Sequence, residues 1–123
     1  MNEVIMYAVS LADTPYVYGG STPVTGFDCS GFVVHVFKQT LGVSLPRTSA
    51  EIGQSGIPIN SKQLRPGDLV FFNTQRQANS HVGIFVGEGK FVHAPKKGSR
   101  IRVEKMQGKY WASRYNGARR IKA

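Results

Sequence analysis

Apolar residues recur at helical spacing at the start of the chain, and this pattern predicts a first helix. The apolar stripe comprises Val4, Ile5, Ala8, Val9 and Ala12. Asn2 is placed to cap this helix, because its side chain can accept a hydrogen bond from a free N–H group of the first turn. We expect the helix to end at Asp13-Thr14-Pro15, since proline cannot continue it.

A second and longer helix is predicted from Asp28 to about Leu41, with Gly42 as its C-terminal stop. Its buried face comprises Phe32, Val33, Val36, Phe37 and Leu41. His35 follows Cys29 by six residues, which is about 240° around the helix, so the two side chains are expected on different sides. This helix is the expected centre of the core.

Beyond Leu69 the period of apolar residues changes from that of a helix to that of strands. The predicted strands cover 69–72, 81–86, 90–94, 100–103 and 118–121. Residues 87–89 (Gly-Glu-Gly) are expected to form the tight turn between the second and third of them. Helices first and antiparallel strands afterwards predict the α+β fold class, with N-terminal helices packed on a C-terminal sheet.

The composition is that of a globular protein, with 41% hydrophobic residues, 14 glycines and 6 prolines. A chain of 123 residues has room for one hydrophobic core, so we predict a single domain over residues 1–123. The net charge of +9 favours an anionic partner, such as a nucleic acid, an acidic membrane surface or an acidic polymer. Charge alone does not choose among these.

No stretch of the sequence reaches the roughly 18 apolar residues that a membrane-spanning helix needs. The first residues do not resemble a signal peptide either, since Glu3 stands where basic residues belong. Two interpretations stay open: a cytoplasmic protein, or a mature domain without its export signal.

The single cysteine, Cys29, lies where a glycine-rich loop turns into the predicted second helix. Asp28 is a suitable N-cap, and the helix dipole together with free N–H groups would lower the pKa of a thiol in the first turn. Ser30 and Gly31 are small and leave room for another molecule beside the sulfur. The alternative is a buried cysteine that acts as a small hydrophobic residue. The cap and the glycines favour a nucleophile.

A cysteine nucleophile needs a base, and the predicted strands offer His81 and His93. If Val86 pairs with Lys90 across a three-residue turn, Gly83 lies opposite His93. Both histidines then project from one face of the sheet, roughly 7–8 Å apart and within side-chain reach. A turn of the other parity would place them on opposite faces. The pattern is therefore compatible with a nucleophile, a base and a residue that orients the base.

Two other interpretations of these residues stay open. The histidines could be unrelated strand residues, or Cys29, His81 and His93 could hold a metal ion. A metal site is disfavoured because zinc ligands usually include a closely spaced pair, and the chain has no HxH or HExxH pattern. We expect no metal and no cofactor.

Several motifs occur in an order that resembles one family across nearly the whole chain. The motifs are Tyr16…Gly19-Gly20-Ser21, Asp28-Cys29-Ser30-Gly31-Phe32, Leu45-Pro46-Arg47-Thr48-Ser49, Arg65-Pro66-Gly67-Asp68-Leu69-Val70-Phe71-Phe72, His81-Val82-Gly83-Ile84, Phe91-Val92-His93-Ala94, and the closing Tyr110-Trp111 and Arg114-Tyr115…Ala118-Arg119-Arg120. Together they resemble the NlpC-type bacterial cell-wall cysteine peptidases, which have a compact papain-like fold. Within that family the chain is most similar to the small envelope lipoprotein branch.

The resemblance implies a role for each matching residue. Cys29 matches the nucleophile, His81 the general base and His93 the residue that orients it. Tyr16 matches a tyrosine that helps to hold the oxyanion. The implied substrate-binding residues are Asp28, Ser30, Arg47 and Ser49.

The resemblance also implies the reaction and its setting. Members of the family hydrolyse amide bonds in peptidoglycan stem or cross-link peptides, D-glutamyl–diamino acid or D-alanyl–diaminopimelate bonds among them. The implied location is the bacterial cell envelope, with any membrane attachment through a lipid anchor that this chain lacks. We expect a monomer that binds peptidoglycan and no nucleic acid, with Arg119 and Arg120 contributing to wall binding. The alternative is a wall-binding module of the same fold that cuts nothing.

Overall fold

The computed structural model describes residues 2–122, and within them helices precede most of the sheet. The helices are α1 (Asn2–Ser10), α2 (Cys29–Leu41), α3 (Ser49–Ile52) and α4 (Lys109–Ala112), with a 3₁₀ turn at Ser61–Gln63. The side chain of Asn2 lies outside the described part, and so does its predicted capping role. The predicted second helix is confirmed at both ends: Asp28 accepts from Gly31 N, and Gly42 ends the helix with φ of 67°.

The strands form a two-stranded ribbon and a six-stranded antiparallel sheet, which confirms the α+β fold class. The strands are β1 (Ser21–Thr22), β2 (Gly26–Phe27), β3 (Ile57–Ile59), β4 (Leu69–Phe72), β5 (His81–Gly87), β6 (Lys90–His93), β7 (Arg102–Lys105) and β8 (Tyr115–Arg120). β1 pairs with β2, and the larger sheet has the order β3-β8-β4-β5-β6-β7. The C-terminal part of the chain therefore returns to the middle of the sheet beside β4.

Helix α2 packs against β5 and carries the main core. Its apolar face, with Phe32, Val33, Val36 and Phe37, is fully buried. Burying a side chain of this size contributes about 1.5–3 kcal/mol each. The start of the helix is fixed further by the loop before β1, because a Cβ atom on Gly31 would collide with the carbonyl oxygen of Gly20. Only glycine permits this close approach.

The β5–β6 hairpin has the predicted parity but a different turn. Ile84 pairs with Val92, as the predicted pairing requires. The turn itself is shorter, since Gly87 and not Val86 pairs with Lys90, and a bulge between Phe85 and Gly87 absorbs the difference. The pairing beyond the bulge is the predicted one.

Strand β7 begins two residues later than predicted, at Arg102. The segment before it bonds instead to the loop after α1: Ile101 N donates to Thr14 O at 2.9 Å, and Asp13 N donates to Ile101 O at 2.9 Å. The alternation of basic and apolar residues at 100–103 predicted a strand but did not identify the segment to which its first residues bond. The predicted first residue of β8, Ala118, was also too far along the chain, since that strand begins at Tyr115.

Candidate active site

Cys29 lies at the first residue of α2 and on the wall of a groove of about 980 Å³. The groove is lined by Tyr16, Val17, Tyr18, Cys29, Thr74, Gln75, Ser80, His81, Pro95, Lys96, Lys97, Arg102, Glu104, Tyr110 and Trp111. The Cys29 Sγ atom lies 4.0 Å from the carbonyl oxygen of Ser80, the residue before His81. The helix start and the start of β5 thus place the thiol and the His81 imidazole in one groove.

Burial raises the pKa of the Cys29 thiol. Hydrogen bonds from backbone N–H groups, with Val82 first, act in the opposite direction but do not overcome burial, and the Asp28 carboxylate raises the pKa further. The prediction of a lowered thiol pKa was therefore wrong, because it counted the helix start and left out desolvation. The thiol is protonated at neutral pH, so a role as nucleophile would require a base.

His81 and His93 lie on the same face of the sheet, as the strand parity predicts. His81 Nε2 lies 2.8 Å from His93 Nδ1, and the two rings are nearly perpendicular at 85°. Gly83 makes room for this contact: a Cβ atom there would lie 2.7 Å from Phe91 Cδ2 and 3.1 Å from His93 Cβ. Both imidazoles are buried, at 2% and 0% exposure.

Burial, followed by the neighbouring His93, lowers the pKa of His81 to about 3. Burial also lowers the pKa of His93. A hydrogen bond to the Glu104 carboxylate raises this pKa, but burial has the larger effect. Both rings are therefore neutral at neutral pH. The neutral His81 imidazole lines the same groove as the neutral thiol and has a lone pair for a proton, and its low pKa makes it a weak base whose protonated form is a strong acid.

Tyr16 lies in the groove with Cys29. Its backbone N–H donates to Ser99 O at 2.9 Å, and its backbone bridges to Phe27, directly before the capping residue of α2. Burial, then the nearby Cys29, raises the pKa of its hydroxyl. Tyr16 thus keeps its proton and remains a hydrogen-bond donor in the groove that also holds Cys29.

Three of the expected substrate-binding residues form one hydrogen-bonded cluster at the start of α2. Arg47 Nη1 donates to Ser30 Oγ at 2.8 Å, and Arg47 Nη2 donates to Asp28 Oδ2 at 3.0 Å. Arg47 Nη2 also reaches the carbonyl oxygen of Gly20 at 3.4 Å. In this structure the cluster ties the loop before β1 to the helix start. Its predicted contact with substrate stays a prediction.

Ser49 does not lie on the groove wall described above. It is the first residue of α3 and is 8% exposed. Thr48, which caps α3, and Glu51 take the exposed positions there. The substrate contact expected of Ser49 stays a prediction, as it does for Ser30, which is 6% exposed.

The sequence reasoning missed Glu104 and did not assign a role to Trp111. Glu104 Oε2 accepts from His93 Nε2 at 2.7 Å, and Trp111 stacks on His81 with ring centroids 5.3 Å apart. The predicted strand ended at residue 103, one residue short of the glutamate. Correct bounds for β7 would have placed Glu104 on the strand beside His93.

Arg120 forms a structural ion pair with Asp68. Its Nε atom donates to Asp68 Oδ1 at 2.8 Å and its Nη2 atom to Asp68 Oδ2 at 2.9 Å. Asp68 is 2% exposed, so its carboxylate depends on this partner. The expectation that Arg120 contributes to wall binding is not supported by this geometry.

The comparison with protein-family models decides the family. The model described as the NlpC/P60 family matches residues 13–120. The chain belongs to the NlpC/P60 family. The resemblance seen in the sequence motifs is thereby confirmed, and the match contains every residue of the groove and of the Asp28–Arg47 cluster.

Curated relatives of this NlpC/P60 chain are named as hydrolases. Murein DD-endopeptidase MepH of Escherichia coli K12 is 44% identical over 110 residues, 87% of this chain and 41% of that protein. Murein DD-endopeptidase MepS/Murein LD-carboxypeptidase of the same strain is 42% identical over 106 residues, 86% of this chain and 55% of that protein. Gamma-DL-glutamyl hydrolase of Bacillus subtilis is 40% identical over 119 residues, 96% of this chain and 29% of that protein. The chain thus spans about half or less of each relative.

Solved structures show the same fold. An NlpC/P60 family protein from Bacillus cereus superposes with a TM-score of 0.91 at 28% identity, covering 97% of this chain and 39% of that one. The NlpC/p60 domain of the peptidoglycan hydrolase SagA superposes with a TM-score of 0.85 at 32% identity, covering 98% of this chain and 97% of that one.

Among the described residues, none of the helices has the length and apolar character to span a bilayer.

Proposed function

We propose that this NlpC/P60 chain is a peptidoglycan endopeptidase, with Cys29 as nucleophile, His81 as general base and His93 as the residue that orients it. The observation that carries the proposal is the hydrogen-bonded His81–His93 pair on the wall of the groove that also holds Cys29. The names of the relatives, murein endopeptidases and a glutamyl hydrolase, support an amide bond as the target.

The first step starts from a neutral thiol and a neutral imidazole. His81 takes the thiol proton as the sulfur adds to the scissile carbonyl carbon, and the carbonyl electron pair moves to oxygen. In this proposal, backbone N–H groups at the start of α2 and the Tyr16 hydroxyl donate to that oxyanion, which is supported by the position of Cys29 at the helix start and of Tyr16 in the same groove. Because burial makes protonated His81 a strong acid, its proton passes readily to the leaving amine as the C–N bond breaks.

The second step releases the acyl group. A water molecule gives a proton to His81 and adds to the thioester carbonyl, the C–S bond breaks, and the sulfur recovers the proton from His81. The products are a free carboxylate and a free amine, and the thiol is regenerated. The low pKa of His81 favours release of the proton to the leaving amine and to the sulfur, whereas taking a proton from the thiol or from water is the harder part of each step.

The groove fits a substrate with carboxylates and exposed apolar parts. Lys96 and Lys97 lie on its wall and are exposed, and a stem peptide offers carboxylates to such cations. Tyr18 and Tyr110 add aromatic surface to the same groove. We place the cut at a D-glutamyl–diamino acid bond or a D-alanyl–diaminopimelate cross-link, and the site of action in the cell envelope, where that polymer lies.

Digestion of purified, structurally defined muropeptides followed by mass spectrometry tests the proposal. Hydrolysis adds one water to the substrate mass, distributed between two fragments, and the fragments identify the bond that was cut. Release of fragments at either bond class supports the proposal. Binding of the wall polymer without any fragment would instead favour the wall-binding module.

A further inference from the structure

Glu104 is held at the end of the histidine pair by three hydrogen-bond donors. Its Oε2 atom accepts from His93 Nε2 at 2.7 Å and from Arg102 Nε at 2.9 Å. Its Oε1 atom accepts from Trp111 Nε1 at 3.1 Å. Because all three partners donate, a carboxylate satisfies every one of them, and a side chain that carries a donor does not.

These bonds fix the direction of the hydrogen-bond chain. Hydrogen bonds, chiefly the one from His93, lower the pKa of Glu104 to about 2, so Glu104 stays ionised. A carboxylate can only accept, so His93 must carry its proton on Nε2. Neutral His93 then has a lone pair on Nδ1, and His81 must donate to it from Nε2. The lone pair of His81 is left on Nδ1, which is the form that a base for the Cys29 proton requires.

We propose that Glu104 is a positioning residue of this site, acting through His93 to hold both histidines in the productive tautomer and to stabilise positive charge on His81. This inference rests on the proposed endopeptidase function and extends it. Glu104 touches no reacting atom. Its effect reaches Cys29 through two imidazole rings, as an acidic residue behind a histidine does in other hydrolases.

The charge on Glu104 acts among several other titratable groups, and each contributes to the pH profile. Arg102 on the same strand opposes it and lowers the pKa of His93, whereas Glu104 raises the pKa of both histidines. The groups that face the histidine pair or line the groove are Cys29 of α2, His81 of β5, His93 of β6, Arg102 of β7, Tyr16 and Tyr18 of the loop before β1, Lys96 and Lys97 of the loop after β6, and Tyr110 of α4.

The substitution Glu104→Gln removes the charge and leaves nearly the same shape. An amide oxygen can still accept from His93 and Arg102, but the amide nitrogen then meets the Trp111 N–H group, so one hydrogen bond is lost. Glu88→Gln is the matched control, because Glu88 lies exposed in the turn between β5 and β6.

The experiment measures kcat and KM against pH on a defined muropeptide, for wild type and both variants. We expect Glu104→Gln to lower kcat by about 10–100-fold, by analogy with the carboxylates that orient metal-bound histidines, with KM nearly unchanged. Its acid limb should move to lower pH, because the histidines lose the charge that raises their pKa. Glu88→Gln should match wild type, and Glu104→Asp should return the acid limb towards that of wild type.

Nitrogen-15 NMR of the imidazoles supplies a readout that does not depend on activity. Wild-type protein should show both His81 and His93 protonated on Nε2, and Glu104→Gln should show mixed tautomers. A Glu104→Gln variant with a wild-type acid limb and unchanged tautomers overturns the proposal. So does wild-type protein with His81 protonated on Nδ1, even if the variant does not fold. Wild-type protein that cuts no muropeptide refutes the proposed function instead, and leaves the tautomer result to decide the role of Glu104.

Discussion

His81 Nε2 and His93 Nδ1 are 2.8 Å apart although the two residues lie on different strands and their rings are buried. Their contact depends on the parity of one hairpin, since a shift of one residue in the pairing of β5 with β6 would turn one ring to the other face of the sheet. It also depends on Gly83, which leaves the space that the His93 side chain occupies.

The first prediction concerns Gly83→Ala. The added Cβ atom would lie 2.7 Å from Phe91 Cδ2 and 3.1 Å from His93 Cβ, so the rings must shift. We expect a loss of about 1–3 kcal/mol in the free energy of unfolding, as for an overpacked core, together with a lower kcat. Gly108→Ala is the control: its Cβ would meet only Lys105 O at 3.4 Å, so urea unfolding should change by no more than about 0.5 kcal/mol. Equal effects of the two variants would contradict this packing argument.

The second prediction concerns the pH dependence of Cys29 alkylation. Burial raises the pKa of the thiol, so its thiolate fraction at neutral pH should be smaller than that of the unfolded chain. The rate of reaction with iodoacetamide, followed by intact mass, should therefore rise at higher pH in the native protein than in urea. A native profile that reaches its plateau at lower pH than the unfolded one would show a stable thiolate in the resting site.

The third prediction concerns stability in acid. The folded pKa of His81, about 3, lies below its ordinary value of 6.5, so the unfolded state binds this proton first as the pH falls. Stability should therefore decrease as the pH falls from about 6.5 towards about 3. His81→Gln cannot take up the proton in either state, so its Tm should fall less steeply over this window. An equal slope in both proteins would mean that His81 is not held neutral by folding.

The fourth prediction concerns the cations of the groove. Replacing Lys96 and Lys97 together by glutamine should raise KM for an anionic muropeptide by about 2–30-fold, because exposed charge interactions contribute about 0.2–1 kcal/mol each. Added salt should reduce the difference. The double replacement of Lys38 and Lys62, both exposed and away from the groove wall, is the matched control. A rise in KM of the same size in the control would point to net charge and not to the groove.

Much of the fold could be predicted from local patterns, because each element has its own signal. Asp28 and Gly42 bound α2 by capping chemistry, and the glycines around Glu88 mark the hairpin that sets the parity of the histidines. The short edge strand β3 escaped notice, since Ile57–Ile59 contains a proline and pairs only with the distant β8. The proline argued against a strand, and the pairing with β8 cannot be read from a window of neighbouring residues.

The candidate site was predictable where one residue type implied a partner, and less so where burial decided the chemistry. Cys29 required a base, and His81 with His93 supplied the only strand pair of histidines in the sequence. The raised pKa of the thiol, the buried position of Ser49 and the Asp68 partner of Arg120 all depend on which groups lose water on folding. The place of Glu104 depends on the register of β7 against β6, in which Arg102 pairs with His93.

The central claim, that Cys29 carries out amide hydrolysis, is tested most directly by comparing wild type with Cys29→Ala on the same muropeptides by mass spectrometry. Cys29→Ser serves as a second variant, and both should retain the circular dichroism spectrum of the wild type. We expect wild type to yield paired fragments whose masses sum to substrate plus one water, and Cys29→Ala to yield none. Cys29→Ser should be nearly inactive, because a hydroxyl is a much weaker nucleophile than a thiol under the same base. Fragments produced equally by wild type and Cys29→Ala, or by neither, would contradict the account.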